Sequence, residues 1–290
     1  MKKSKFREIF TIPMIVTLVI LVAIILMSLL APVLTKYDPD AVDLMNIHLR
    51  PSAAHLLGTD DLGRDQFTRL LYGGRTSLLN ALLVMLLAMV VGIPMGLLCG
   101  FYGGWIDTLW MRICDLILAF PGLLLAFILV IILGRGGYVA VVAIAIMYIP
   151  GTSKLARSLI LTEKTKGYVE TCRSVCFSDR RIIFRHILPN CIPTMVAELA
   201  LNFGYAITTL TSLSFLGLGV QAPKADWGCM LSDALSSIFS YPNLILGPAV
   251  VIVLISVSLN ILSDGILRYL DPDQRKVPSI KRYLKRLRAE

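Results

Sequence analysis

The sequence predicts an all-α integral membrane protein with about six transmembrane helices, and three observations carry that prediction. The first is composition: the 290 residues are 56% hydrophobic and only 16% charged, where a soluble domain carries roughly 25% charged residues. The mean hydropathy is +0.76. The second is patterning, because the charges collect in a few segments that separate apolar runs reaching the ~20 residues needed to cross hydrocarbon. The third is the distribution of basic residues. With six spans, twenty of the 28 Lys and Arg fall on one side, in Met1 to Arg7, Lys154 to Asn190 and Arg268 to Glu290. The other side holds Lys36, Arg50, Arg64, Arg69, Arg75, Arg135 and Lys224, with Arg112 near an end of the third span. Basic residues favour the cytoplasmic side, so both termini and the long loop are expected there.

The first run, Ile12 to Leu34, follows Met1-Lys2-Lys3-Ser4-Lys5 and is too long for a cleaved signal peptide, so it reads as a retained signal anchor. An external segment rich in aspartate follows, 35–76. The second run is Ser77 to Phe101, broken by Gly100-Phe101-Tyr102-Gly103-Gly104. Gly92, Gly96 and Gly100 form a ridge on it that lets another helix approach closely. The third run, about Trp105 to Leu133, carries a kink at Pro121. Gly134-Arg135-Gly136-Gly137 turns the chain into the fourth run, Tyr138 to about Leu161. The fifth runs from about Ile192 to Gly219. A short polar loop with Pro223, Trp227 and Gly228 leads to the sixth, Leu244 to about Leu270, so the transmembrane core occupies 77–270 and a basic tail 271–290. These runs must be helices, since backbone in lipid has to satisfy its own hydrogen bonds and the runs are too long and apolar for barrel strands.

Several functions are excluded. The six cysteines at 99, 114, 172, 176, 191 and 229 show no CxxC spacing, and His48, His55 and His186 have no metal-ligand spacing, so reduced packing cysteines are expected and no metal or cofactor. No GxxxxGK[ST] occurs, so ATP binding through a P-loop is not expected of this chain, and neither a Ser-His-Asp arrangement nor HExxH is visible. The net charge of +9 reads as membrane topology and not as nucleic-acid binding.

The long basic loop holds the most informative pattern. Val169, Cys172, Val175 and Cys176 stand at helical spacing, Ser178 or Asp179 can cap a second helix running into Arg185, and Pro189 and Pro193 mark entry to the fifth span. Two short helices meeting at a bend on the cytoplasmic surface suit docking of a soluble partner. This loop resembles the coupling motif of ATP-binding-cassette importer permeases, with Glu170, Leu188 and Pro189 matching. His186-Ile187-Leu188-Pro189-Asn190, Gly58-Thr59-Asp60-Asp61-Leu62-Gly63-Arg64-Asp65, Ser214-Phe215-Leu216-Gly217-Leu218-Gly219 and Trp227-Gly228-Cys229-Met230-Leu231 resemble the oligopeptide, dipeptide and nickel permeases, specifically their second subunit. Thr171 and Cys172 stand where that family has alanines, and Cys176 where it has glycine, so either the bend differs or Cys176 accepts a strained backbone.

The resemblance implies a type I importer permease fold and alternating access driven by two cytoplasmic ATPases. It also implies a homologous second permease and an external solute-binding protein. Di- or oligopeptides are the implied solute; nickel or a metal chelate is the alternative. ATPase coupling would fall to Glu170, Thr171, Cys172, Cys176, Asp179, Arg180, His186, Leu188 and Pro189. Glu198, an acid inside the fifth span, is a candidate for the solute path with Asn202 and Leu210. Asp60 with Arg64 and Asp65 with Arg69 are acid-first i, i+4 pairs, which read as an exposed helix or, with Asp61 and Trp227, as an external docking surface. Asp107, Arg112 and Asp115 read as a local ion-pair network. An ion-coupled secondary transporter would place paired ionisable groups at the bilayer midplane, whereas most acids here lie near span ends.

Overall fold

The computed structural model describes residues 12–270, with side chains to 267; the charged start of the chain and the basic tail at 271–290 lie outside the described residues. Helix α1, Ile12–Leu29, is followed by a short α2, Ala31–Leu34. The remaining elements are α3 (Gln66–Tyr102), α4 (Gly104–Leu118), α5 (Gly122–Leu133), α6 (Gly137–Glu163), α7 (Gly167–Ser174), α8 (Asp179–Arg181), a π-helical turn at Ile182–Ile187, α9 (Leu188–Phe215), α10 (Trp227–Asp233) and α11 (Asn243–Leu270). Five of these spans are long and apolar enough to cross a membrane, six if α4 and α5 form one broken span.

Helix α3 begins eleven residues before the apolar run does. Its 37 residues reach ~55 Å at ~1.5 Å per residue, against ~30 Å of hydrocarbon. The start is set by Asp65, whose carboxylate accepts from the Thr68 backbone N–H at 2.8 Å and from its hydroxyl at 2.7 Å, an N-cap. The extra turns therefore stand outside the bilayer.

The third run is broken more sharply than a kink. Helices α4 and α5 meet at 93° around Ala119-Phe120-Pro121, because proline lacks an N–H and disfavours helical backbone at the residue before it. Helix α4 is held to α6 by ion pairs between helices. Arg157 donates to both carboxylate oxygens of Asp107 at 2.6 and 2.7 Å, and Lys154 donates to Asp115 at 2.6 Å. The expectation of a network local to α4 is thus corrected: the acids reach across to α6, and Arg112 makes no ion pair among the described residues.

The glycine ridge of α3 meets α6. A Cβ on Gly92 would lie 2.8 Å from Thr152 Cβ, on Gly96 2.4 Å from Ser153 O, and on Gly100 2.9 Å from Arg157 O. Helix α9 packs on α11, and α1 lies against α11 and α3. The apolar interior divides into a central cluster, including Val84, Val130, Ile144, Ile207, Leu213, Trp227 and Ile255, and a second cluster of Leu97, Phe101, Ile160, Val169, Ile182, Ile187 and Met195. Outward-facing Val90, Ile131 and Ile132 are at least 70% exposed, as suits side chains that meet lipid tails.

Candidate functional site

Helix α7 rests on the second cluster through Val169 and Cys172, while Glu170, Thr171, Arg173 and Ser174 face solvent. Its end is a left-handed cap. Cys176 has φ +53°, its N–H reaches Arg173 O at 2.9 Å, and the N–H of Phe177 reaches Cys172 O at 3.1 Å. This is the helix stop that glycine normally makes. The bend is therefore kept, and the thiol side chain accepts the strained backbone.

Beyond the bend, Ser178 occupies the N-cap position without a side-chain hydrogen bond, and α8 lasts a single turn before widening into the π turn. Pro189 has no N–H for the carbonyl of Arg185, which favours the wider turn. Phe177 stacks on His186 with ring centres 5.8 Å apart, and Arg181 lies 3.9 Å above the Phe177 ring. Leu188 packs on the second cluster, and Pro189 sits exposed in the first turn of α9. Asp179 and Arg180 point to solvent. Val175 and Phe184 are 56% and 62% exposed in this otherwise polar segment, an apolar surface outside the spans.

A polar clasp lies behind α7. Glu163, buried at the end of α6, accepts from Lys166 Nζ and from the Tyr168 hydroxyl at 2.6 Å, while Asn190 Nδ2 donates to that hydroxyl at 3.3 Å. Lys164 Nζ donates to the Gly100 carbonyl at 2.8 Å, at the end of α3. Burial, together with the hydrogen bond to the Glu163 carboxylate, pushes the Tyr168 phenol up to about 12. Of these residues, Glu163, Lys164, Lys166 and Tyr168 were not singled out from sequence.

At the opposite end, the sequence motifs close on one another. Asp60 organises the 58–65 turn: its Oδ1 accepts from the N–H groups of Leu62 and Arg64, and its Oδ2 from Arg64 Nε at 2.7 Å. Arg64 and Arg69 also reach Asp233, at 3.1 and 3.6 Å. Asp65 pairs with His55 at 2.8 Å. Trp227 is 1% exposed and donates its indole N–H to Leu70 O at 3.0 Å. Asp226 accepts from the Ser77 hydroxyl at 2.7 Å and from the N–H of Gly228 at 2.9 Å. Its carboxyl is pushed above the usual range by burial, which these hydrogen bonds oppose.

The exposed-helix reading of this region is therefore overturned. Residues 59–65 are a turn, and Asp60, Arg64 and Asp65 are at most 5% exposed. Buried side chains cannot form a docking surface; they and Trp227 hold the loop before α3 to α3 and α10. Asp61 is half-exposed; it accepts from the Ser236 and Ser237 hydroxyls and lies 3.3 Å from His48 Nε2. Asp226 was legible as an N-cap ahead of Trp227-Gly228, yet the sequence reading passed over it.

Within the bilayer, Glu198 and Asn202 border a small gap of about 10 Å³ between α3, α6 and α9, together with Thr152. The same stripe of α9 continues through exposed Tyr205 and half-buried Thr209. Leu210 does not share it: at 5% exposure it belongs to the central cluster.

A bundle of long apolar helices with one broken span, an exposed bend between two short helices at one end and a closed polar loop at the other defines a multi-pass membrane protein. Residues 92–276 match the family described as "Binding-protein-dependent transport system inner membrane component", and residues 14–51 match the "N-terminal TM domain of oligopeptide transport permease C". The chain belongs to this family and is a multi-pass permease subunit of an ATP-binding-cassette importer. It is 43% identical over 243 residues to the glutathione transport system permease protein GsiD of Pectobacterium atrosepticum, covering 83% of this chain and 81% of the relative. It is 41% identical over 261 residues to the dipeptide transport system permease protein DppC of Alkalihalophilus pseudofirmus, covering 90% and 86%. In fold it is similar to the permease chain in inward-facing structures of the MetNI methionine ABC transporter, with a TM-score of 0.57 at 18% identity over 70% of this chain and 96% of that one.

Proposed function

We propose that the chain imports di- or oligopeptides into the cytoplasm as one half of a permease pair. Its partners are a homologous second permease, two cytoplasmic ATPases and an external solute-binding protein, and both termini face the cytoplasm. The names of the relatives, glutathione and dipeptide permeases, support peptide over nickel. The charge asymmetry between the two faces of the membrane supports the orientation.

The observation that carries the reading is the bend. It holds Glu170, Thr171 and Cys176 in solvent beside exposed Val175 and Phe184, on a helix anchored by Val169 and Cys172. Apolar side chains surrounded by charge on an aqueous surface mark a docking site. An ATPase gripping α7 moves the π turn through Phe177 and His186, and Leu188 and Pro189 carry that movement into α9. Helix α9 in turn presents Glu198, Asn202, Tyr205 and Thr209 to the path shared with the second permease, since polar groups inside a membrane face a cavity or a partner.

The test is Glu170→Lys in a strain expressing the whole transporter. The inserted, folded variant is expected to lose ATPase copurification and uptake of labelled dipeptide, because a mispaired charge at an interface costs ~2–5 kcal/mol. Wild-type levels of both would sink the docking role.

A further inference from the structure

In the clasp behind α7, that helix meets two spans through a single atom. The Tyr168 hydroxyl donates to Glu163 at the end of α6 and accepts from Asn190 at the start of α9. A hydroxyl has one proton to give and lone pairs to receive, so both of its roles are used. The other contacts of α7 with the body are the apolar ones of Val169 and Cys172 and the Arg173 guanidinium, 5.9 Å from the centre of the Phe101 ring. Apolar contact is non-directional and does not by itself fix how the helix is seated; two directed hydrogen bonds do. Glu163 is in turn held by Lys166, and neighbouring Lys164 is bonded to the end of α3.

We propose that Tyr168 is a positioning residue whose hydroxyl locks α7 to α6 and α9 at once, so that displacement of α7 moves both spans as one body. The proposal rests on the reading of α7 as the ATPase-docking helix. Its phenol, pushed up to about 12, remains a donor throughout the pH range of a cell.

The experiment reconstitutes the whole transporter in proteoliposomes and measures dipeptide uptake and ATP hydrolysis in the same vesicles. Tyr168→Phe deletes one oxygen and keeps the ring in place. It is expected to retain the ATPases while uptake per ATP hydrolysed falls about tenfold, the factor an ordinary hydrogen bond supplies. A chain that merely folded less well would lose uptake and hydrolysis in proportion and leave that ratio unmoved. Asn190→Ala removes the second arm from the exposed side and is expected to lower the same ratio. Wild-type ratios in both variants overturn the proposal alone. If the wild-type chain holds no ATPase, the docking reading fails and this proposal fails with it.

Discussion

The Ser77 hydroxyl donates to Oδ2 of Asp226 at 2.7 Å, joining residues 149 positions apart in the chain. The Trp227 N–H returns to the same hydroxyl at 3.2 Å. This contact pins the N-terminal part of α3 to the start of α10, and Gly228 makes it possible: a Cβ there would lie 2.4 Å from Thr211 O.

Asp226→Ala is expected to destabilise the protein by about 3 kcal/mol, since a lost cap and a stranded buried hydroxyl add. Asp226→Asn, which keeps an acceptor oxygen, should recover much of that loss in detergent unfolding curves.

The same carboxyl has a pH consequence. Its folded pKa is raised, so the folded state holds the proton more tightly than the unfolded one. Its favourable contribution is full below the unfolded carboxylate pKa and declines as pH rises through the folded value. Stability measured from acid to neutral pH should decline less steeply in Asp226→Asn than in wild type; equal slopes would count against a raised pKa.

The α3–α6 contact predicts a contrast between two glycines. Gly96→Leu places a side chain against Ser153 O and Ala156 Cβ, at 2.4 and 2.6 Å from the first added carbon, and neither can swing away. A loss of about 3 kcal/mol is expected from such overpacking. Gly151→Ala, with nothing within 4 Å, should be neutral or slightly stabilising.

Cys176→Gly relieves a non-glycine residue at φ +53° and is expected to stabilise the bend by about 1 kcal/mol. Cys176→Val should do the opposite, because branching at Cβ is least compatible with that backbone. Hydrogen exchange of the Cys176 and Phe177 amides reads both changes.

The Asp107–Arg157 pair predicts a double-mutant cycle. Either single Ala variant should loosen α4 from α6, and the cycle should return a coupling of about 1 kcal/mol for a bidentate pair that is partly exposed. A coupling near zero would mean that apolar contacts alone hold the broken span.

The number and order of the spans were determined by the sequence alone, because a bilayer imposes a length and an apolarity that each run must meet locally. The ridge of Gly92, Gly96 and Gly100 was legible for the same reason: residues four apart share a helix face wherever the helix goes. So was the bend after α7, since its spacing and Ser178-Asp179 are local signals. The tertiary structure decided what those features touch. Asp60 and Arg64 have the spacing of an exposed helical pair, and the buried ion-pair cluster with Asp233 exists because α10, some 170 positions later, closes over the turn. Periodicity could not show that Leu210 faces the core while Glu198, twelve positions earlier on α9, borders a gap; the helices packed around α9 settle it. Nor could it separate a kink at Pro121 from a right-angle break, which follows from Asp107 and Asp115 being held by Arg157 and Lys154 on another helix. Local pattern governs which segments become helices, whereas the burial of a charge depends on partners that only the assembled bundle brings within reach.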